Sequence, residues 1–205
     1  MTRKPQQRSI ATRARVLQAA RNLSAKTGLD GLTAEAVAGE AGVAKGTVFS
    51  HFGDMDGLLS HVLLERLDAL RAGRPETPAP SVLPQDPVDA LMQRMMALIA
   101  VITDSPTILR LFLDNIGVTK ANCAAEFVET LDALDADLAA FLEMWQSSES
   151  LLPALRKDRL PAELVDGLIA FMIHGAVLFK SHQITDKTVL ETRLRRHVEA
   201  YLLQP

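Results

Sequence analysis

The sequence has 205 residues, of which 48% are apolar and 4% aromatic, and its formal net charge at pH 7 is −3. A chain of this length can bury a hydrophobic core as one large domain or two small ones. Cys123 is the one cysteine, which excludes a disulfide framework and a cysteine-ligated metal site. Abundant alanine and leucine, with few β-branched runs, favour an all-α fold.

Charge is distributed unevenly along the chain. Residues 1–54 contain eight Lys and Arg against four Asp and Glu, a net of +4, and the remaining residues carry a net of −7. Positive charge concentrated in one small region is typical of phosphate binding, although a chance imbalance is an alternative. The polar N-terminus has no apolar signal core, so we expect a soluble, cytoplasmic protein that does not enter a membrane.

The first ten residues are polar and predict an irregular arm. Arg3, Lys4 and Arg8 in this arm either reach phosphates or a minor groove of a nucleic acid, or form a solvated tail, and both alternatives stay open. A first helix is predicted from about Thr12 to Lys26, where apolar residues recur on one stripe. Gly28 suits the C-terminal cap of that helix.

Residues 32–59 predict two short helices joined by a glycine turn. Thr33 can cap the first helix with its hydroxyl, and Gly42 stands where a tight turn needs positive φ. The second helix starts near Ala44, and its apolar residues Val48 and Phe52 have the i, i+4 spacing of a buried face. The exposed N-terminal end of that helix then presents Lys45, Gly46, Thr47 and Phe49.

These residues also carry a family resemblance. Thr33, the EAGV of residues 40–43, the KGTVF of residues 45–49 and the His-Phe pair at 51–52 resemble the DNA-binding signature of TetR-family transcriptional regulators. The resemblance implies a helix-turn-helix DNA-binding domain in residues 1–70. It also implies a helical domain for effector binding and dimerisation in residues 71–205.

By this resemblance, six residues contact double-stranded operator DNA. Lys45 and Gly46 approach base edges, and Phe49 touches a thymine methyl group. Phosphates are held by Thr33, Thr47 and His51. The family usually has tyrosine at position 49 and lysine at position 55, where this chain has Phe49 and Met55. We expect the carboxylates of Asp54 and Asp56 beside Met55 to repel phosphate.

Helical periodicity continues through the rest of the chain. A fourth helix is predicted from about Asp56 to Ala72, and residues 73–87, which contain five prolines, predict a loop. Five further helices are predicted: residues 87–102, a short helix from Pro106, and residues 122–146, 161–183 and 188–203.

The helix predicted at residues 161–183 is apolar on all sides, so it must be covered on all sides. The resemblance implies that the last two helices pair with those of a second copy in a homodimer, and Gly175 would let the paired backbones approach closely. Burial within a larger monomer core is the alternative. His174 is predicted to be a satisfied core histidine rather than an effector ligand.

The resemblance implies an effector pocket among the C-terminal helices, but no motif marks its lining. Methionine and aromatic side chains suit irregular apolar ligands, so a small apolar or aromatic effector is expected. The same side chains are also expected simply as core. The predicted lining is Met95, Met96, Ile99, Phe112, Phe141, Trp145, Phe171 and Met172.

The sequence therefore predicts a homodimeric, ligand-responsive, DNA-binding transcriptional regulator, more specifically a repressor that an effector releases from a palindromic operator. No cofactor or metal is expected. A related protein that has lost DNA binding and docks a partner protein is one alternative. An enzyme is another, although the sequence has no phosphate-binding glycine loop, HExxH or nucleophile elbow.

Overall fold

The computed structural model describes residues 3–72, 86–115 and 123–203, which form helices and connecting segments without a β-strand among them. A 3₁₀ turn at Leu29–Gly31 separates α1 from α2. The predicted all-α fold, with an N-terminal helix-turn-helix and a helical C-terminal part, is confirmed. The helices are α1 Arg3–Thr27, α2 Ala34–Ala41, α3 Lys45–Phe52, α4 Met55–Ala72, α5 Pro87–Ile102, α6 Pro106–Leu113, α7 Ala125–Ser147, α8 Pro161–Lys180 and α9 Lys187–Leu202.

The predicted helix bounds lie within three residues of the observed ones except at the start of α1. This helix begins at Arg3, so the expectation of an irregular arm is wrong from that residue onward. Pro5 is compatible with this early start because it lies in the first turn, where a backbone N–H has no intrahelical partner. Of the predicted proline-rich loop, residues 73–85 lie outside the described residues.

Two compact units divide the chain by residue contacts. The first comprises the described residues of the ranges Met1–Leu67 and Ser105–Thr130, and the second those of Asp68–Asp104 and Leu131–Pro205. The boundaries therefore fall inside α4, between α5 and α6, and inside α7. The functional division at residue 70 stays a prediction, and it did not anticipate that α6 packs with the N-terminal helices.

In the first unit, α6 is attached to the N-terminal helices by polar contacts. The backbone N–H of Thr107 donates to Asp30 Oδ1 at 3.1 Å, and Arg110 forms a two-pronged ion pair with Asp56 at the start of α4. Ser60, fully buried in α4, accepts the N–H of Ala124 at 2.8 Å. These bonds join segments about 50 or more residues apart in sequence.

In the second unit, α8 and α9 pack at close range. Tyr201 lies against Gly167, and its hydroxyl donates to the carbonyl of Glu163 at 2.9 Å. Gly175 is buried against Leu190 of the same chain, so its expected role between two copies is not what this structure shows. The small residue serves the intrachain contact between α8 and α9.

One face of α8 stays partly open in the single chain. His174 is exposed, so the expectation of a core histidine is wrong, and its neighbours Ile173 and Val177 are half-buried. Among the described helices, Pro161–Lys180 alone is long and apolar enough to cross a membrane by itself, a test that core helices of soluble proteins also pass.

Replacing Gly167 with alanine tests the close packing of α8 on α9. An added Cβ would lie 2.4 Å from Cζ of Tyr201, so we expect overpacking to lower the free energy of unfolding by about 1–3 kcal/mol. The control is Gly39→Ala in α2, where an added Cβ meets no heavy atom within 4 Å, and a gain of about 0.5–1 kcal/mol is expected. Urea denaturation followed by far-ultraviolet circular dichroism measures both. Undiminished stability of Gly167→Ala would contradict the packing.

Candidate functional site

Two local signals fix the geometry of the helix-turn-helix. The hydroxyl of Thr33 accepts the backbone N–H of Ala36 at 3.1 Å and so caps α2. Gly42 has φ of 62° and ψ of 43°, the left-handed conformation that ends α2, and the N–H of Val43 returns to the carbonyl of Ala38. Both features agree with the sequence prediction, and together they set the direction in which α3 leaves the turn.

The side of α3 that faces the unit is apolar. Val48 is fully buried and Phe52 is 6% exposed, whereas Lys45 and Gly46 on the other side are exposed. The remaining predicted DNA-contacting residues, Thr33, Thr47, Phe49 and His51, are exposed or half-buried. All six therefore retain accessible surface on the first unit, and their role in DNA binding stays a prediction.

An ion pair missed by the sequence analysis joins α2 to α3. Lys45 Nζ contacts Glu35 Oε1, and the same ammonium lies 5.7 Å from the centroid of the Phe49 ring. The hydrogen bond from Lys45 lowers the pKa of Glu35. Glu35 also lies in the first turn of α2, where the helix dipole favours a negative charge.

The start of α4 differs from the expectation at its two carboxylates. Asp54 Oδ1 accepts the backbone N–H of Gly57 at 2.9 Å, which caps the helix. Arg110 from α6 approaches Asp56, with Nη1 to Oδ2 at 3.0 Å, and also reaches Asp114 at 2.9 Å. Because Asp56 faces a guanidinium, its expected repulsion of phosphate is reduced.

His61 of α4 contacts side chains of α1 and α3 within the first unit. Nη2 of Arg13 lies 2.6 Å from Nε2 of His61, and the guanidinium lies 5.0 Å from the ring centroid of Phe52. The ring of His61 meets that of Phe52 edge-on at 5.5 Å. Burial first, and then the positive charge of Arg13, lower the pKa of His61, although Glu126 opposes this. A neutral imidazole that accepts from Arg13 fits this arrangement.

A cleft between α5, α7 and α8 is the candidate effector site in the second unit. Its cavity volume is about 40 Å³. Typical small-molecule pockets have about 300–1,000 Å³, so an effector needs this cleft to widen. It is lined by Arg94, Met95, Leu98, Leu134, Asp135, Leu138, Leu168, Ile169 and Met172.

Of the eight predicted pocket residues, Met95 and Met172 line this cleft. Phe141 does not line the cleft, but the centroid of its ring lies 4.1 Å from Cζ of the lining residue Arg94. Trp145 is buried, and its indole N–H donates to the carbonyl of Pro153. Met96 and Ile99 are buried in α5 without lining the cleft.

The other two predicted pocket residues face elsewhere. Phe171 points to α9, where its ring stacks on His197 with centroids 5.6 Å apart. Phe112 belongs to the first unit and meets Phe127 edge-on at 5.8 Å. The roles of all eight residues in effector binding remain predictions.

Two charged residues of the cleft are missing from the lining predicted from the sequence. Arg94 and Asp135 both line it. Desolvation by the surrounding protein, together with the charges of Asp132 and Asp166, raises the pKa of Asp135 to about 6, although its side chain keeps exposed surface. A usable signal was present, because Asp135 lies four residues after Leu131 and three residues before Leu138, which both belong to the apolar stripe of α7.

Comparison with known families identifies the N-terminal part of the first unit. Residues 16–62 match the model of the bacterial regulatory proteins of the tetR family. The N-terminal domain is of the TetR family. The match runs from α1 into α4 and contains all six predicted DNA-contacting residues of this TetR-type domain.

Solved structures extend the likeness to the whole fold. A tetR-family transcriptional regulator from Streptomyces coelicolor is 16% identical over 93% of this chain and 80% of that one, with a TM-score of 0.60. A transcriptional regulator from Rhodococcus sp. Rha1 is 20% identical over 92% and 95%, with a TM-score of 0.57. A candidate fatty acid metabolism regulator from Clostridium perfringens is 14% identical over 93% and 100%, with a TM-score of 0.58. No curated protein sequence matches this one. At these identities the likeness is one of fold, that of TetR-family transcriptional regulators.

Protonation of His61 should destabilise the TetR-type domain. Because its pKa is lowered on folding, the unfolded chain binds the proton more readily, so this contribution is complete above about pH 6.5 and falls as the pH drops below it. His61→Gln keeps an acceptor for Arg13 but does not titrate, so its stability should depend less on pH between 8 and 5. Urea denaturation followed by circular dichroism at several pH values measures this. The control is His182→Asn, at an exposed position just after α8, and an equal pH dependence in all three proteins would contradict the assignment.

Proposed function

We propose that this chain is a homodimeric, ligand-responsive transcriptional regulator, specifically a repressor that acts in the cytoplasm by binding double-stranded operator DNA. It is a binding protein rather than an enzyme. The observation that carries the proposal is α3 in the TetR-type domain. It buries Val48 and Phe52 and presents Lys45 and Gly46 at its exposed N-terminal end. That end of the second helix enters the major groove in helix-turn-helix proteins.

The roles proposed for the DNA-contacting residues follow from their chemistry and placement. Lys45 and Gly46 approach base edges, and Phe49 offers an apolar contact to a thymine methyl group. Thr33, Thr47 and His51 hold phosphates. For Thr33 this is compatible with capping, because a hydroxyl that accepts the N–H of Ala36 can still donate its own hydrogen.

Two features of α8 and α9 support a dimer through these helices. In the single chain, Ile173 and Val177 of α8 are only half-buried, and Val189 of α9 is 54% exposed. Apolar side chains left open on neighbouring helices gain free energy when a second copy covers them. In the dimer, the two α3 helices would enter major grooves about 34–36 Å apart on a palindromic operator.

The cleft of the second unit is the proposed site of the effector. Seven of its nine lining residues are apolar, which suits a small apolar or aromatic compound. Because the enclosed space is about 40 Å³, binding must select a widened conformation. The range of α4 extends beyond Leu67 into the second unit, so α4 is one covalent route by which that widening would alter the spacing of the two α3 helices.

Removing Lys45 should weaken DNA binding and relax its sequence preference. Lys45→Ala should cost roughly 1–3 kcal/mol on a duplex that the parent chain has selected from a random-sequence library, and much less on a scrambled duplex. Fluorescence anisotropy over a range of NaCl concentrations measures both. Lys187→Ala at the start of α9 removes the same charge outside the TetR-type domain and should leave both affinities unchanged.

Two results would count against this function. If Lys45→Ala binds both duplexes as the parent does, Lys45 does not read bases. If selection from the library enriches no duplex at all, the chain does not act as a DNA-binding regulator, and docking of a partner protein becomes the better explanation.

Filling the cleft with a larger side chain should leave DNA binding intact and remove its response to a ligand. The neutral apolar dye Nile red should bind the parent and weaken its affinity for the selected duplex, and by linkage the duplex should weaken dye binding by the same factor. Leu138→Trp places an indole in the lining, so the variant should keep DNA binding but lose both dye effects. Ala136→Trp, at an exposed position of the same helix, is the control. Unchanged dye binding by Leu138→Trp would show that the apolar site lies elsewhere.

A further inference from the structure

The open face of α8 is built on one row of residues spaced four apart along the helix. The side chains of this row are all exposed, and its members are Ala162, Asp166, Ala170 and His174. The adjoining Ile173 and Val177 are apolar and only half-buried. Half-buried apolar side chains gain free energy when a second surface covers them, so this face is suited to a partner.

The two charged groups of the row are placed evenly about its centre. Asp166 lies four residues before Ala170, and His174 lies four residues after it. In a two-fold symmetric contact, residue i meets residue j and residue j meets residue i. A two-fold axis at Ala170 therefore brings Asp166 of each copy beside the partner's His174.

The surroundings of Asp166 add to its negative charge. After desolvation, the charges of Asp132 and Asp166 raise the pKa of Asp135, so the three carboxylates lie close together. This half of the open face is acidic, and it favours a positively charged partner surface.

The half of the face around His174 is basic. A second row of exposed residues spaced four apart runs along α9 and consists of Val189, Arg193 and His197. This row adjoins α8, because the His197 ring stacks on Phe171. Since α8 and α9 run in opposite directions, Arg193 lies level with the stretch of α8 after Phe171, which carries His174. A face with one acidic and one basic half complements itself when it is turned end to end.

The crossing that this contact requires is common among packed helices. A row of residues spaced four apart runs about 26° from the helix axis, so two such rows lie along one another when their helices cross at about 50°. At the crossing point, the methyl side chain of Ala170 lets the two backbones approach. Ile173 and Val177 then pack beside it and lose their contact with water.

We propose that a second copy of this chain covers the open face, with the two α8 helices crossing in opposite directions at Ala170 and with Asp166 of each copy paired with the partner's His174. This inference rests on the homodimer of the proposed function and specifies its register. The pair occurs twice in one dimer. A shift of one helix along the other by a single turn would separate both pairs at once.

Symmetric disulfides test the register. In a Cys123→Ser background, Ala170→Cys should form a covalent dimer on mild oxidation, because its two Cα atoms lie at the crossing, within the roughly 4.4–6.8 Å that a disulfide spans. Ala162→Cys, at another exposed position of the row, is the control. Its two copies would lie about 24 Å apart along the helices and should stay separate. Non-reducing gel electrophoresis measures both.

A mixture of two variants tests the proposed pair. Asp166→Cys and His174→Cys, each in the same background, should not cross-link alone, because equal positions lie about 12 Å apart along the helices. When the two variants exchange subunits and are then oxidised, they should form a covalent heterodimer. Intact-mass spectrometry distinguishes this heterodimer from either homodimer.

Reversal of one charge tests whether the pair contributes to affinity. His174→Asp places two carboxylates together at both ends of the contact, so the dissociation constant of the dimer should rise about five- to 25-fold, at roughly fivefold for each exposed pair. Adding Asp166→Lys to the same chain restores opposite charges and should recover most of the loss. His182→Asp, at an exposed position just after α8, is the control and should leave dimerisation unchanged. Sedimentation equilibrium measures all four proteins.

The outcomes separate this inference from the proposed function. If the parent sediments as a dimer but Ala170→Cys does not cross-link, the register is wrong while the homodimer stands. The same conclusion follows if Ala162→Cys cross-links as readily, or if His174→Asp dimerises as the parent does. If the parent is a monomer at every concentration, the proposed homodimer and this inference fail together.

Discussion

Burial of Val48 and Phe52 fixes what the opposite side of α3 can present. With these two side chains held against α1, α2 and α4, rotation of α3 about its axis is restricted, and Lys45 must lie at the exposed end. Val16 and Ala20 of α1, both fully buried, belong to the same core. The surface chemistry of the TetR-type domain is therefore a consequence of close packing beneath it.

Charged side chains around α3 and α4 already form ion pairs or hydrogen bonds within the first unit. Lys45 faces Glu35, Asp56 faces Arg110, and Arg13 approaches His61. In the proposed function, DNA binding would therefore exchange these partners for phosphates and base edges rather than capture isolated cations. Net charge alone would overestimate the affinity of such a surface for DNA, because each new contact requires an existing ion pair or hydrogen bond to break.

Local signals explain what the sequence could predict. A capping threonine, a left-handed glycine and an i, i+4 apolar pair act within a few residues, so α2 and α3 were bounded within about one residue of their observed ends. The start of α1 was missed because polar composition suggested disorder, although nothing after Pro5 stops a helix. The pair of Glu35 with Lys45 depends on the angle of a turn, which no periodicity encodes.

The effector cleft was harder to predict for a different physical reason. Helical spacing shows that a residue is apolar, but not which neighbouring helix it faces. Phe171 was a reasonable candidate until it proved to stack on α9, and Phe112 belongs to the other unit. Arg94 and Asp135 were overlooked because long or partly exposed polar side chains at the edge of an apolar stripe look like ordinary surface.

The placement of the two strongest chromophores has a practical consequence for spectroscopy. Trp145 and Tyr201 are the only tryptophan and tyrosine of the chain, and both belong to the second unit. Intrinsic fluorescence should therefore follow the unfolding of that unit, with the buried indole as the main reporter. Circular dichroism, in contrast, reports the helix content of both units. The difference between the two signals during denaturation would measure how far the TetR-type domain and the rest of the chain unfold as one cooperative system.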